Sequence, residues 1–560
     1  MRVPDHLDAV PPLGSSHDFT SAWLTSNSES ALNQSSPPYS AMGWQVDGFV
    51  SNPAATTAGS AATWIGPSGG SWNEPTFWDP TMVPNGAGDL ADFKPSVADA
   101  TPMLTIMDVP GGATLGTLTL GGSAAHSWTV SLSAPLTMDN NGSGAVITNV
   151  NPATGSHRLL VSGSQSLILA DNLSIINSGG STSVDGSINV TAKITGTGNL
   201  TFNNISNDFA AGQILIGGAA PSNFFGSTTI TSGAVVFQGN SAFGVAGNQI
   251  TLGSSGGGSA SLIGLGGNSN LQNPIIVAGG TGGTTTLGST FPSPFSTSLF
   301  SGSLVLNGNV SLLNDSTFNS VIFLNTISGV GGITKIGMGD TFLSGNNSFT
   351  GATIIDQGLL QVTSTNALGG TASITVNSGG TLLFSGASTN RINDHAEIIL
   401  NGNGSVGAQL FTNGNSEHGS TNNKPGMGPV TLQSSSIIDL AAGASIIAFD
   451  NSSGQTWNSL STLSIYNYSG TPITGNGTDQ LYIGSDITGL TALQLQQIIF
   501  YSDDGFTFLG KGGWGTDLDG EVVPIPVPEP ASWIGGALAL SAVVFARRKR
   551  NPKSQAPNPK

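Results

Sequence analysis

Two stretches of this 560-residue chain repeat one pattern, and that pattern decides the fold. Residues 224–233 read FFGSTTITSG, and residues 349–358 read FTGATIIDQG. Each stretch has a phenylalanine, a glycine, a run of at least three β-branched side chains and a second glycine; the four repeat glycines are Gly226, Gly233, Gly351 and Gly358. A pattern that returns inside one chain is typical of a solenoid, in which each repeat packs only against its neighbours.

The blocks upstream of these stretches also match. Residues 194–201 read ITGTGNLT and residues 327–334 read ISGVGGIT, and the first copy has eight extra residues before Gly226. An insertion between two matched blocks is expected where a loop leaves a repeated rung. The repeat therefore predicts stacked rungs joined by loops of variable length.

Short strand patterns fill the chain between residues 98 and 500. Runs such as LGTLTLGG and SGSLVLNGNVSLL alternate apolar and polar side chains and end in Gly, Asn or Ser, which predicts strands joined by tight turns. We predict an all-β fold, a right-handed parallel β-helix with rungs of roughly 20 residues; stacked β-sandwich modules are the second choice. Gly and Asn are expected at the corners, because they tolerate positive φ, and Asn and Thr are expected to form ladders between rungs.

The composition excludes several functions. The chain has 80 glycines, no cysteine and only 8% charged residues, and its formal net charge is −17. Six of its 14 basic residues lie at or after Arg547, so the part before Arg547 is more acidic still. Nucleic-acid binding needs clustered Lys and Arg to neutralise phosphates, and disulfides or thiolate chemistry need cysteine. We therefore predict no nucleic-acid partner and no cysteine-based site.

The repeated pattern resembles a known family. The order G-x-G-x-[LI]-T followed by F-x-G-x-T-x-I-x-x-G is similar to the autotransporter-associated β-strand repeat, over residues 194–375. The first copy departs from the second, with FNN at 202–204 where the second has KIG at 335–337. The resemblance implies a passenger-like bacterial surface protein with a β-helical body.

The C-terminal tail has three parts. A short motif (Pro528, Glu529 and Pro530) is followed by 16 uncharged residues, 531–546, and then by four basic residues. Such a run is roughly 24 Å long as a helix, and an interfacial tryptophan with snorkelling arginines lets it span a bilayer. We predict a single C-terminal transmembrane helix, with the basic cluster in the cytoplasm. The expected anchor residues are Trp533, Leu538, Leu540, Val543, Val544 and Phe545, and the cytoplasmic stop is Arg547, Arg548, Lys549 and Arg550.

The order of these three parts resembles the PEP-CTERM sorting signal. In that family a membrane-embedded protease of the exosortase type recognises the Pro-Glu-Pro motif. The resemblance implies this protease as a partner and Pro528, Glu529 and Pro530 as the sorting motif. It also implies an exported protein, anchored in the inner membrane before processing and then moved to the cell surface or extracellular matrix. Exopolysaccharide or another surface matrix is a further expected partner.

Changes in composition divide the chain into six predicted segments. They are a polar leader (1–62), a tryptophan-rich cap (63–97), the solenoid (98–434), a β segment and linker (435–526), the sorting signal and anchor (527–550) and a cytoplasmic tail (551–560). The linker contains a short helix-like run, LTALQLQQI, at residues 490–498. The leader lacks the basic start and apolar run of a secretory signal, so we expect the natural start to lie upstream of Met1.

The chain shows no pattern that predicts a catalytic or metal site. Two G-x-S-x-G matches, at residues 66–70 and 253–257, lack the long strand and the helix that flank a nucleophile elbow. The eight basic residues before Arg547 are scattered singly, and the six histidines lack paired metal spacing. A β-helical lyase or hydrolase needs clustered carboxylates or a basic residue in one cleft. We therefore expect a non-enzymatic protein without cofactor or metal. A surface-anchored polysaccharide lyase or hydrolase is the alternative.

Overall fold

The chain winds into a parallel β-solenoid. The structure, a computed structural model, describes residues 59–93, 103–121, 128–150, 157–159, 165–178, 187–206, 212–218, 221–265, 268–290, 295–402, 409–419 and 426–526. Its strands are numbered β1 to β44 along the chain, and nearly all of them pair in parallel with strands of the neighbouring rungs. The prediction of an all-β fold with long parallel sheets is confirmed.

The first sheet covers one side of the solenoid as far as residue 329. It starts with an antiparallel pair of β1 and β3 and continues in parallel. Its strands are β1 (Ala61–Trp64), β3 (Trp78–Asp79), β4 (Leu90–Phe93), β7 (Thr117–Leu120), β10 (Ala145–Asn149), β13 (Leu173–Asn177), β16 (Leu200–Asn204), β18 (Thr228–Phe237), β19 (Ile250–Leu252), β22 (Ile275–Val277), β25 (Leu304–Leu306) and β28 (Ile327–Gly329).

The second sheet runs along the next side. It shares β18, whose second half pairs with β17 and β20. Its other strands are β2 (Gly70–Ser71), β5 (Met103–Met107), β8 (Trp128–Leu132), β11 (His157–Leu159), β14 (Ile188–Val190), β17 (Ile214–Ile216), β20 (Ala260–Leu265), β23 (Thr285–Thr290), β26 (Val310–Asn314), β29 (Ile333–Ile336), β31 (Thr353–Ile355), β33 (Ser373–Asn377), β35 (Glu397–Asn401), β37 (Met427–Ser434), β39 (Ile446–Asp450) and β41 (Gln480–Ile483).

The remaining side carries a four-stranded sheet and then a 12-stranded sheet, which we call the third sheet. The four strands are β6 (Ala113–Leu115), β9 (Leu136–Met138), β12 (Ser166–Leu169) and β15 (Lys193–Gly196). The third sheet consists of β21 (Ser269–Leu271), β24 (Thr297–Phe300), β27 (Ser320–Phe323), β30 (Asp340–Leu343), β32 (Gly358–Val362), β34 (Gly380–Phe384), β36 (Gln409–Phe411), β38 (Ser436–Asp439), β40 (Leu463–Tyr466), β42 (Ile498–Tyr501), β43 (Phe508–Trp514) and β44 (Val522–Ile525).

Alternating side chains build the core. In a strand, successive side chains point to opposite faces, and in β13 the inward positions are buried while the two between them are half-buried. The register stacks inward residues of successive rungs directly on one another, as in the fully buried row Ile147, Ile175, Phe202 and Ile230. Full burial of such a side chain stabilises the fold by about 1.5–3 kcal/mol.

Rung length changes along the solenoid, and the predicted length of about 20 residues is too short for its first part. Asn149 contacts Asn177, its equivalent one rung later, across 28 residues. Ile327 contacts Asn347 across only 20. The early rungs are longer because they have strands on three sides and longer corners. The rungs from β29 to β33 are 20 and 21 residues long, and the later rungs lengthen again, to 32 residues from Ile398 to Val430 and 35 from Leu463 to Ile498. The prediction therefore holds for the rungs between β29 and β33.

The strand is lost on the side of the first sheet, which ends with β28. The side chain of Asn347 replaces strand pairing there: its Oδ1 accepts the N–H of Ile327 at 2.8 Å, and its Nδ2 donates to the carbonyl of Ala367 at 2.7 Å. Phe349, two residues after Asn347, is fully buried in the interior of the solenoid. From here each rung has two strands and one irregular side.

Aromatic side chains fill the first rungs. Trp64, Trp72, Trp78, Phe93 and Trp128 are buried and pack edge-to-face, tilted or, for Trp64 and Phe93, stacked, with ring centroids about 5 to 6 Å apart. Nε1 of Trp78 donates to the carbonyl of Trp72 at 2.9 Å. These tryptophans therefore belong to the core.

The last described part changes character. The helix-like run folds as a short helix, α1 (Ala492–Gln497), whose N-terminus is closed by a reciprocal capping box of Thr491 and Gln494. A 3-10 turn also occurs near the start of the chain, at Pro75–Phe77. Strands β42, β43 and β44 then pair antiparallel and end the third sheet.

Candidate functional site

The repeat glycines lie where the backbones of neighbouring rungs approach closely. A Cβ on Gly226 would overlap the carbonyl oxygen of Gly198, and one on Gly351 would overlap the backbone of Gly331. Gly233 and Gly358 have φ of +75° and +70°, a conformation that is costly for other residues. All four residues therefore set corners and rung spacing.

The two copies of the repeat occupy different sides of the solenoid. In the first copy, Thr228–Ile230 pairs in the first sheet, and the chain enters the second sheet after Gly233. In the second copy, Thr353–Ile355 pairs in the second sheet, and Gly358 opens a strand of the third. The local strand–corner–strand unit is thus the same, but it is displaced by one side, as is the block upstream of it, where Ile194 pairs in the four-stranded sheet and Ile327 in the first sheet.

The predicted sorting motif, anchor and cytoplasmic stop lie outside the described residues. This applies to Pro528, Glu529 and Pro530, and to every residue from Trp533 to Arg550 named above. Among the residues that the structure does describe, no helix combines the length and apolarity that a membrane span requires. The predicted transmembrane helix falls in residues 531–546, and it stays a prediction.

A buried lysine was not singled out from the sequence. Lys335 occupies an inward position of β29 and has no exposed surface. Its Nζ donates to the carbonyls of Ile336, Gly337 and Gln357 at 3.0, 2.6 and 3.0 Å. Burial lowers the pKa of Lys335 to about 8, against the opposing pull of Asp340. The lysine thus holds together a corner of the solenoid. Its burial could have been predicted from the sequence, because it occupies an inward position of an alternating strand.

A buried ion pair closes a second corner. Nη1 of Arg391 contacts Oε2 of Glu417, and the guanidinium also donates to the carbonyls of Ser385, Gly386 and Ser416. Oε1 of Glu417 accepts the N–H groups of Arg391 and Ile392. Burial raises the pKa of Glu417 to about 7, although these donors pull it downward. No sequence motif predicts the pair, because its partners come from different rungs.

Asparagines form the predicted ladder. Nδ2 of Asn149 donates to Oδ1 of Asn177 at 2.9 Å, and Nδ2 of Asn177 donates to Oδ1 of Asn204 at 3.1 Å. All three side chains are buried. Beside the ladder runs an open groove of about 390 Å³, lined by small polar residues together with Ile176 and Ile205.

The described residues offer little material for chemistry. Within them, no three His, Asp or Glu side chains come together in a way that could hold a metal ion. Lys335, Arg391 and Glu417 are committed to core hydrogen bonds. Of the two G-x-S-x-G matches, the first has Ser68 Oγ bonded to the N–H of Leu104 at 3.1 Å. Structural bonds therefore account for these polar groups.

Comparison with known proteins supports the repeat. Residues 333–362, from β29 to β32, match the model of the family described as passenger-associated-transport-repeat. No curated protein and no solved structure gives a significant match. The matched stretch contains Lys335, Gly351 and Gly358, and it confirms the autotransporter-type resemblance for the second copy. A repeat of this kind in a parallel β-solenoid indicates a surface-exposed, passenger-like protein.

Proposed function

We propose that this chain is a non-enzymatic protein of the cell surface or extracellular matrix, sorted through its C-terminal Pro-Glu-Pro motif by an exosortase-type membrane protease. The observation that carries the proposal is the passenger-type repeat, matched at residues 333–362, within a long parallel solenoid. Such a body offers long regular faces, and its regularity comes from stacking. We infer right-handed winding, the hand that parallel crossovers almost always take.

The placement of buried charges favours a role without catalysis. Glycan cleavage needs a carboxylate pair or a basic residue facing a cleft. Lys335, Arg391 and Glu417 instead face the core and bond to backbone groups. The proposed role is therefore structural or adhesive, with exopolysaccharide or another surface matrix as partner.

The tail supplies the proposed route to the surface. Pro528 and Pro530 lack backbone N–H groups and bias the residues before them towards extended backbone. An extended peptide at the membrane boundary suits an embedded protease. The helix from Ser532 would fix the depth of this peptide in the membrane, and Arg547 to Arg550 would hold the C-terminal end of the chain in the cytoplasm. The uncut protein would stay in the inner membrane.

Mass spectrometry of the C-terminus in the native host tests the sorting proposal. The wild-type chain is expected to end near Glu529, whereas Glu529→Ala is expected to keep Lys560. Pro526→Ala is the matched control, since Pro526 lies just before the motif and is exposed; it is expected to be processed normally. A wild-type chain that ends at Lys560 in cells with an active exosortase contradicts the proposal.

A glycan panel tests the absence of catalysis. The full chain is expected to release no product from bacterial or plant polysaccharides. Reproducible release that one Asp or Glu substitution abolishes would favour the polysaccharide-active alternative.

A further inference from the structure

The outward face of the third sheet carries an apolar row. Residues at one register position stack from rung to rung between β24 and β42. Gln361 and Asp439 are the polar members of this row. The apolar members are Leu299, Ile322, Phe342, Leu383, Phe411, Tyr466 and Tyr501.

An exposed apolar column runs beside this row at the corner. Phe295, Phe318 and Met338 each precede by two residues the stacked positions Thr297, Ser320 and Asp340. Their exposed fractions are 83%, 64% and 59%. The rings of Phe295 and Phe318 lie 6.0 Å apart. Phe295 has φ of +60°, a conformation unusual for a bulky side chain. The row and the column together form the third-sheet apolar strip.

The first sheet lacks the aromatic residues of this row. Its corresponding outward row from β10 to β25 mixes Val146, Ile276 and Val305 with four hydroxyl residues, Ser174, Thr201, Thr229 and Thr251. The third-sheet row has four aromatic residues, Phe342, Phe411, Tyr466 and Tyr501, and from β24 to β42 Asp340 and Asp439 are the outward-facing charges of that sheet. Large exposed apolar patches on soluble proteins mark interaction sites. The asymmetry therefore assigns an interaction surface to the third sheet.

We propose that two copies of this chain associate laterally through the third-sheet apolar strip. Nine strands at about 4.8 Å give a length of about 40 Å, and strands of about four residues give a width of about 13 Å, to which the corner adds about 5 Å over its three rungs. The resulting area, roughly 600 Å², is at the low end of the range per partner of a standard interface. A two-fold dimer brings the same patch together on both copies. Aromatic and Met residues are the types enriched at interface cores.

The geometry of the aromatic rings favours a second copy of this chain, rather than a polysaccharide, as the partner of the third-sheet apolar strip. Tyr466 and Tyr501 meet at 89°, and Tyr501 and Phe508 meet at 71°. The rings thus pack edge-to-face on one another rather than presenting a row of parallel flat faces. The half-buried Leu299 and Ile322 add aliphatic surface that an apolar partner would cover. The inference goes beyond the proposed sorting and does not depend on cleavage of the tail.

Charge gives the association a distinctive salt dependence. Each copy has a formal net charge of −17, so two copies repel one another at low ionic strength. Salt screens this repulsion, while contact across the nearly uncharged strip persists. The dissociation constant is therefore expected to fall as salt is added.

Sedimentation of the full chain in mild detergent tests the proposal. The wild type is expected to form dimers at micromolar concentration. Ile322→Lys places a charge in the strip and is expected to raise the dissociation constant by roughly 30-fold or more. Ile276→Lys is the matched control: Ile276 is half-buried and outward on the first sheet, so its dimer is expected to persist. A monomeric wild type overturns the proposal, as does equal dimerisation of both variants, which would place the contact in the tail or elsewhere.

Hydroxyl-radical footprinting of the unmutated chain gives a second, independent readout. Dimer formation is expected to protect Phe318 and Met338 from oxidation. Phe225, exposed to 68%, is the internal control and is expected to stay reactive. Protection of Phe225 alone, or protection of the strip only when a neutral polysaccharide is added to a monomeric chain, would show that the proposal is wrong.

Discussion

Nη1 of Arg391 lies 3.2 Å from Oε2 of Glu417, and neither side chain has exposed surface. The guanidinium also lies 5.6 Å from the centre of the Phe384 ring. A buried pair of charges is costly to break, because the remaining charge is left without its partner in the interior.

Glu417→Gln is therefore expected to destabilise the local rungs by about 3–5 kcal/mol. The amide keeps the shape of the carboxylate but removes the charge that Arg391 needs. Glu397→Gln is the control, since Glu397 is half-buried in the neighbouring strand β35 and bonds to Thr431; a change below about 1 kcal/mol is expected there. Hydrogen exchange of amides in β34 to β37 measures both, and equal effects would contradict the prediction.

Lys335 is expected to give the stability a pH dependence. In the folded chain its pKa is about 8, against an ordinary value of 10.5. Between these values the unfolded chain binds more protons, so the free energy of unfolding rises with pH. The contribution of the uncharged Lys335 to the free energy of unfolding is thus present at high pH and is lost as the pH falls through 8. It amounts to up to about 3 kcal/mol.

Denaturant unfolding of the wild type and of Lys335→Met between pH 7 and 10.5 tests this dependence. Lys335→Met is expected to lose about 1–3 kcal/mol at pH 7, because three carbonyls lose their donor. Its deficit is expected to widen towards pH 10.5. Lys511→Met, at an exposed position, is expected to follow the wild type. A constant deficit across this range would mean that the lysine titrates normally in the fold.

The asparagine ladder is expected to behave as a connected unit. Asn177→Ala removes the donor to Asn204 and the acceptor for Asn149, so buried polar groups on both neighbouring rungs lose a partner. A loss of about 2–4 kcal/mol is expected. Asn203→Ala, at an exposed position one residue before Asn204, is expected to cost less than about 0.5 kcal/mol. Faster amide exchange confined to β13 would argue against a ladder that links three rungs.

The repeat glycines are expected to be intolerant of a single methyl group. Gly351→Ala would force a Cβ into the backbone of Gly331, and overpacking of this kind costs about 1–3 kcal/mol or more. Gly454→Ala meets open space and has no left-handed φ, so it is expected to be neutral or slightly stabilising. Thermal melting of both variants decides the matter, and equal melting temperatures would remove the packing explanation.

Several features were readable from the sequence because their causes are local. Alternation in runs such as β13 predicted strands and their inward residues, since side chains alternate over two residues. Gly233 and Gly358 marked corners because positive φ is a property of one residue. The helix at Ala492–Gln497 falls within the run LTALQLQQI, which the sequence showed to be helix-like, while its capping box became visible only in the structure. The repeat itself predicted stacked rungs.

Other features depend on which rung lies next to which. The sequence could not show that the second copy lies on another side, since only pairing with other rungs assigns Ile194 to the four-stranded sheet and Ile327 to the first sheet. The burial of Lys335 depends on the carbonyl of Gln357 one rung later, and the Arg391–Glu417 pair joins residues of different rungs. The third-sheet apolar strip likewise arises only when strands far apart in sequence come into register. Local alternation and the internal repeat determined that the chain forms a solenoid, and inter-rung register decided its cross-section, its buried charges and its apolar face.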